Sequence, residues 1–271
     1  MPELPEIVHR AREMGAALIG RTVTAVDIVQ PKCLNVDVDA FERGLVGETI
    51  RGAHHAGKWI VVSLDGHALL LNLGMGGEVL LHAPGEPLPV KIQAAFDLDD
   101  GARVSVHFSW FGYIHLMAND RLAEHRMTAE LGIDPLAESF TSQALADLLD
   151  GRRTRVKSLL LDQRVIAGIG NMYSHDILFR ARIHPDRPAN SLSRDEVEAL
   201  WRGIRDTLRT AVDLGGSAWE RGVHGNHGSF DTEHLLVGYR EGQPCPSCGA
   251  EIVKIRTGST QAFICPQCQV L

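Results

Sequence analysis

Cys245-Pro246-Ser247-Cys248 and, sixteen residues further on, Cys265-Pro266-Gln267-Cys268 form the stretch on which the fold turns. Two C-x₂-C pairs at this separation fit the spacing of a zinc ribbon. Four thiolates close a tetrahedral structural site and leave no open position for catalysis. Between the pairs, Ile252 to Ile255 and Ala262 to Ile264 are apolar enough to pair as a hairpin. So small a ribbon has almost no core, and the metal would supply most of its folding energy. Disulfides and an iron–sulfur cluster are the alternatives that spacing leaves open. Cys33 is left over, since the chain has five cysteines.

Outward from the ribbon, the chain is long enough for one large or two medium domains. Of its 271 residues 44% are hydrophobic and 23% charged, ordinary values for a globular protein. No apolar run reaches the ~18–20 residues of a membrane span, so a soluble, cytoplasmic protein is expected. The formal net charge of −7 argues weakly against a polyanionic partner. Its distribution matters more: residues 1–150 are net acidic and residues 151–271 net basic. The basic half opens with Arg152-Arg153-Thr154-Arg155-Val156-Lys157, so nucleic-acid contacts would lean on it.

Residues 3–19 have helical periodicity, with Ile7, Ala11, Met14 and Leu18 on one face and Gly20 at the stop. From about 22 to 117 the chain reads as strands and turns. Asp65-Gly66 and Asp99-Asp100-Gly101 are hairpin signals, and the strand spacing predicts an antiparallel sandwich or barrel. Leu131 to Leu136 reads as a linker. Helices follow over about 141–149, 153–161, 171–182 and 194–213, the last opened by a Ser193/Glu196 capping box. Gly168-Ile169-Gly170 before Asn171 would present backbone N–H groups and a helix N-terminus, a seat for phosphate. Residues 215–240 are rich in Gly and His and predict a long mobile loop. Its His224, His227 and His234 are expected to be solvated rather than metal-bound.

The other end of the chain carries the chemistry. Once Met1 is removed, Pro2 is the terminus and its nitrogen a secondary amine. Terminal amines titrate at about 7.7–8.0 against about 10.4 for lysine, so a useful fraction is neutral at pH 7. A neutral secondary amine condenses with an aldehyde or opened sugar to give an iminium, which is an electron sink. Glu3 beside it is placed to protonate a ring oxygen or leaving group.

Five blocks in order then make the chain resemble, over its whole length, the formamidopyrimidine-DNA glycosylase/endonuclease VIII family. They are Pro2-Glu3-Leu4-Pro5-Glu6, Leu73-Gly74-Met75-Gly76-Gly77, Leu131-Gly132 with Asp134-Pro135-Leu136, Gly168 to Tyr173, and His184-Pro185 with the terminal cysteine pairs. The resemblance implies an α+β chain. An N-terminal helix and antiparallel β-sandwich would span 1–130. A helix–two-turn–helix DNA-binding domain with a lesion-capping loop would span 131–240, and the zinc ribbon 241–271, with DNA in the cleft between.

It also implies a bifunctional base-excision glycosylase and abasic-site lyase acting on damaged double-stranded DNA. Such an enzyme would be monomeric, nucleoid-associated and hold one structural zinc. Pro2 would attack C1′ and Glu3 protonate the sugar ring oxygen, and β- and δ-elimination would follow. Lys58 would contact phosphate, and Glu6 would be a second acidic residue near the nucleophile. Asn171 would hold phosphate, with Gly168 and Gly170 in the turns before it. Met75 and Phe111 would fill the gap left by an extruded nucleotide.

Trp110 and Asn72 would also contact DNA, but three positions depart from the family pattern. Ser109-Trp110-Phe111-Gly112 stands where Arg-Arg-Phe-Gly is usual, Asn72 replaces a histidine, and Thr260 replaces an arginine in the ribbon hairpin. Indole stacks on a base but cannot offer the guanidinium fork. Weaker or altered opposite-base selectivity is therefore expected, with a shifted lesion preference. A non-enzymatic damaged-DNA-binding protein of the same fold is the alternative. A ribbon regulator without a repair role leaves Pro2 and Glu3 unexplained.

Overall fold

The computed structural model describes all 271 residues, which divide into two compact units. The first comprises Met1–Glu130 with Leu214–Ser229, and the second Leu131–Asp213 with Phe230–Leu271.

The first unit begins with helix α1 (Leu4–Leu18). Its predicted apolar face is buried, with Ile7, Ala11, Met14 and Leu18 at most 2% exposed. Strand β1 (Val23–Ile28), helix α2 (Val38–Leu45) and strands β2 (Ile50–Ala56), β3 (Trp59–Leu64) and β4 (His67–Asn72) follow. The remaining strands are β5 (Glu78–His82), β6 (Ala94–Leu98), β7 (Arg103–His107) and β8 (Tyr113–Ala118), before the one-turn helix α3 (Arg126–Ala129). They form two four-stranded antiparallel sheets, ordered β2-β3-β4-β8 and β1-β6-β7-β5. Inward residues of both sheets, among them Ile60, Val62, Leu71, Val79, Phe96, Val104 and Ile114, share one core with α1. Alternation along the strands is what puts them on one face. The opposite face of β3 and β8 carries Trp59 and His115. His115 Nδ1 lies 2.8 Å from His125 Nε2, and Trp59 packs edge-on to His125. Burial, and then the neighbouring His125, hold the His115 imidazole down at about 4, so that ring is neutral at physiological pH; burial lowers His125 as well.

The second unit holds α4 (Ser142–Leu149), α5 (Val156–Leu161), α6 (Asn171–Arg180), α7 (Arg194–Asp213) and the hairpin β9 (Val253–Thr257) with β10 (Thr260–Ile264). The Ser193/Glu196 capping box is present: Ser193 N–H donates to Glu196 Oε2 at 2.7 Å, and Glu196 N–H to Ser193 Oγ at 3.3 Å. A small core of Phe179, Val237, Cys245, Ile252, Phe263 and Cys265 joins α6 to the hairpin. Beside it Asp176, 2% exposed, accepts the N–H groups of Leu236, Val237 and Gly238 at 2.9, 3.0 and 3.0 Å. That carboxylate orders a segment with no regular structure. Its own pKa is raised by burial, against the pull of those three donors.

No helix is long and apolar enough to cross a membrane. Asp176→Ala leaves three buried donors without an acceptor and is expected to destabilise the second unit by about 3 kcal/mol or more. Denaturant unfolding measures this, and a loss under about 1 kcal/mol would contradict the assignment.

Candidate active site

Glu3 and Glu6 open α1, and both carboxyl groups are buried, at 5% and 3% exposure. Pro2 is buried beside them, while Met1 is exposed. Glu6 accepts from the backbone at two places. Its Oε2 takes the Glu3 N–H at 2.7 Å, and its Oε1 the Ser217 N–H at 2.9 Å. Glu6 thus holds the turn that carries Pro2 and Glu3, and ties it to a segment 211 residues away.

That segment, 214–229, covers the first part of the 215–240 stretch that the sequence predicts to be a long mobile loop. It is instead fastened along one stripe of α1, where residues four and three apart lie on the same face. Arg10 donates Nε to Arg221 O at 2.8 Å and Nη2 to Glu220 Oε2 at 3.0 Å. Glu13 Oε2 accepts the Val223 N–H at 2.6 Å. Arg221 pairs with Glu78, and Leu81 N–H reaches Val223 O at 2.8 Å. Gly228 allows this folding: a Cβ there would stand 2.1 Å from Gly216 O. The Met1 amine lies 3.7 Å from Glu220 Oε1. Trp219 projects from the same segment, 54% exposed. The sequence signal for this strap was present but indirect: three charged residues, Glu6, Arg10 and Glu13, on a helix face that periodicity alone assigns to solvent.

Lys58 lies in the two-residue turn between β2 and β3 and is half-buried. Its carbonyl accepts from Asn72 Nδ2 at 3.3 Å, while Asn72 Oδ1 takes the Gly74 N–H at 3.1 Å. Asn72 therefore acts inward, joining two turns. Gly74 has φ +51°, and a Cβ on it would lie 2.1 Å from Trp110 O, so only glycine fits this crossing. Met75 N–H donates to Trp110 O at 2.8 Å and Ser109 N–H to Met75 O at 2.9 Å. The side chains of Met75, Trp110 and Phe111 stand out at 45%, 67% and 73% exposure. Phe111 has φ +58°, a left-handed conformation costly for an aromatic residue.

In the second unit Asn171 is the first residue of α6, with Gly170 as its N-cap. Gly168 has φ +101°, and its N–H donates to Gln163 Oε1 at 2.8 Å. Gln163 Nε2 in turn reaches Leu161 O and Ile169 O at 3.0 and 2.9 Å, bracing both turns from inside. Asn171 is oriented from two sides. Its Oδ1 accepts from Lys157 Nζ at 2.8 Å, and its Nδ2 lies 3.3 Å from His175 Nε2. Burial, and then the nearby Lys157 charge, push His175 down to about 3, so the ring is neutral and free to accept there. Lys157 is itself 1% exposed and donates also to Thr260 Oγ1 at 3.1 Å and to Gln261 O. The hairpin position where an arginine was expected is thus turned inward, an acceptor for a buried ammonium. Lys157 closes the basic run on which nucleic-acid contacts are expected to lean, yet its ammonium is buried and spent on internal acceptors; Gln163 has no sequence signal. For the burial of Lys157 the only signal was its place inside the apolar run Val156 to Leu161.

The sulfur atoms of Cys245, Cys248, Cys265 and Cys268 all lie within 4.8 Å of one another. Cys245 and Cys268 sulfurs are 3.9 Å apart, and those of Cys248 and Cys265 3.4 Å. A disulfide requires about 2.05 Å. Zinc–sulfur bonds of about 2.3 Å in a tetrahedron place sulfurs roughly 3.8 Å apart, which these separations bracket. The cluster fits one structural zinc ion. None of His224, His227 and His234 belongs to a metal-binding group. His234 pairs with Asp231 at 2.8 Å and stacks on Phe230.

Comparison with known proteins places this geometry. Residues 1–109 match the formamidopyrimidine-DNA glycosylase N-terminal domain, 131–221 its H2TH domain, and 242–270 the zinc finger found in FPG and IleRS. A formamidopyrimidine-DNA glycosylase of Roseiflexus sp. (strain RS-1) is 40% identical, over 99% of this chain and 100% of its own. That of Bacillus subtilis (strain 168) is 34% identical over 99% of both chains. A point mutant of the Lactococcus lactis FPG, solved with a Fapy-dG containing DNA, superposes with a TM-score of 0.93 at 27% identity, over the full length of both chains. The Lactococcus lactis Fpg bound to an abasic site containing DNA gives the same TM-score at 26% identity, over 99% of this chain and 100% of that one. With relatives of this identity aligned end to end, the chain belongs to the formamidopyrimidine-DNA glycosylase family.

Proposed function

We propose that this chain removes damaged bases from double-stranded DNA and then cleaves the strand at the resulting site, with Pro2 as nucleophile. The observation that carries the reading is the buried first turn of α1. Pro2 and Glu3 are held together there by Glu6, on a chain whose relatives are glycosylases of this kind.

After removal of Met1, the Pro2 nitrogen donates its lone pair to C1′ of the damaged nucleotide; the bond from C1′ to the base breaks with its electron pair going to the base, which takes up the proton that the Pro2 nitrogen loses. Glu3 delivers its proton to the sugar ring oxygen, so the ring opens and the C1′–nitrogen link becomes an iminium. That cation acidifies the C2′ proton. Loss of the proton expels the 3′ phosphate, and a second elimination expels the 5′ phosphate. Lys58 offers an ammonium to a flanking phosphate. Asn171 offers its amide, oriented by Lys157 and His175, and Gly168 and Gly170 shape the turn before it. Glu6 is a positioning residue, since both its oxygens accept backbone N–H groups.

The division of labour follows: residues 1–130 carry the chemistry, 131–240 hold DNA and cover the lesion, and 241–271 form the ribbon. Zinc, held by Cys245, Cys248, Cys265 and Cys268, is structural and takes no part in a chemical step. Trp110 and the inward-turned Thr260 support a lesion preference shifted from that of the relatives. We place the protein in the cytoplasm with the nucleoid, acting as a monomer.

Glu3→Gln is expected to slow release of a formamidopyrimidine base from duplex by about 100-fold or more, as loss of a general acid does. Cleavage at a preformed abasic site should stay within about tenfold of the parent protein, because ring protonation is no longer needed there. Equal loss of both activities would contradict the role given to Glu3. Absence of both from the unmodified protein would favour a binding-only function. Removal of one equivalent of zinc by a chelator should lower the melting temperature by roughly 5 °C or more. A metal-free protein with an unchanged melt would show that the cysteines stabilise nothing.

A further inference from the structure

The trio Met75, Trp110 and Phe111 is the most exposed cluster of large apolar side chains on a tightly held backbone in the first unit. Met75 and Trp110 form an isolated antiparallel bridge, so their side chains leave the same side of the ladder. Cβ atoms in such a pair stand about 4.5–5.5 Å apart, wide enough for two neighbouring groups to enter adjacent levels of a base stack, where successive bases rise by about 3.4 Å. Phe111 is kept in a left-handed conformation beside them. Apolar side chains held rigidly into water have the form of a wedge that fills the gap left by an extruded nucleotide.

We propose that Trp110 is the stacking platform for the base left without a partner, and that it makes the protein nearly indifferent to which base that is. This rests on the reading of the chain as an enzyme that extrudes a nucleotide. Several polar groups around Trp110 are already engaged. Its carbonyl accepts from Met75, the Ser109 N–H donates to Met75 O, and Asn72 bridges Lys58 O and Gly74 N–H. Indole itself has one donor and no acceptor, so it cannot make a two-point contact with a base edge. Every base, however, has a face on which indole can stack. A loop that offers a face and no fork holds the widowed base without identifying it.

Binding of the full chain to duplexes with a tetrahydrofuran abasic analogue opposite A, C, G or T tests this. A fifth duplex carries a second tetrahydrofuran at the opposite position, where no base is present. The four affinities should agree within about fivefold, as stacking is tolerant of base identity. Trp110→Ala should weaken each about tenfold and leave the fifth duplex unchanged, whereas Trp110→Phe should keep most of the affinity. The side chain is two-thirds exposed, so the variants should fold, which circular dichroism verifies. A preference above about 50-fold for one opposite base would overturn the proposal, since it requires edge readout. So would a Trp110→Ala loss as large on the base-less duplex. If the unmodified protein bound abasic duplex no tighter than intact duplex, the glycosylase reading would fall, and this inference with it. Tight binding with the wrong opposite-base pattern would overturn the inference alone.

Discussion

Glu6 has two carboxylate oxygens, and each accepts a backbone N–H that nothing else in the first turn of α1 could satisfy as well. One belongs to Glu3 and the other to Ser217. The first turn of a helix has unpaired N–H groups and a positive dipole end, so an acid there is stabilised. At this site it also fixes geometry. Pro2 is the residue before the cap, and its position is set by the same bond that sets Glu3. A nucleophile at a chain end would ordinarily be frayed. Burial of the turn and the strap across residues 214–229 hold it, and Arg10 and Glu13 extend that strap along the helix. Under the proposed function, positioning of this kind would let two ordinary groups act together without new chemistry.

The second unit uses a similar device. Lys157 is a fully buried ammonium whose cost is offset by three oxygen acceptors, from α6 and from β10. It joins Asn171 to the hairpin that the cysteine cluster closes. The ribbon core is small, so the order of that hairpin depends on the metal. Asn171 is thus linked, through Lys157, to the hairpin that lies between the two cysteine pairs. Thr260 belongs to this internal network, accepting from Lys157 and donating to Thr257 O.

The sandwich, α1, α7 and the hairpin were legible in the sequence because their signals are local. Helical spacing of Ile7, Ala11, Met14 and Leu18, the Asp65-Gly66 turn, the Ser193/Glu196 box and the cysteine pairs each act within a few residues. Helix α2 and strand β2 were not legible. β2 carries Gly52, His54 and His55 at an edge and has little apolar alternation. The strap 214–229 was hidden for a different reason: its partners are backbone groups and acids far away in sequence, and no periodicity records them. Pro2, Glu3, Met75 and the cysteines were visible as types at meaningful positions. Gln163 and the inward turns of Lys157 and Asn72 became visible only with coordinates, since a lysine or amide looks the same in sequence whether it faces water or a carbonyl.

The proposed chemistry requires one nitrogen to be free, near an acid and able to bond carbon. The measurement closest to that claim is borohydride reduction of the mature protein on abasic duplex, followed by proteolysis and mass analysis of the joined peptide. One sugar remnant per chain, attached at the Pro2 nitrogen of a terminus lacking Met1, is the predicted result. Attachment at a lysine, no attachment, or a retained Met1 on the active protein would contradict it.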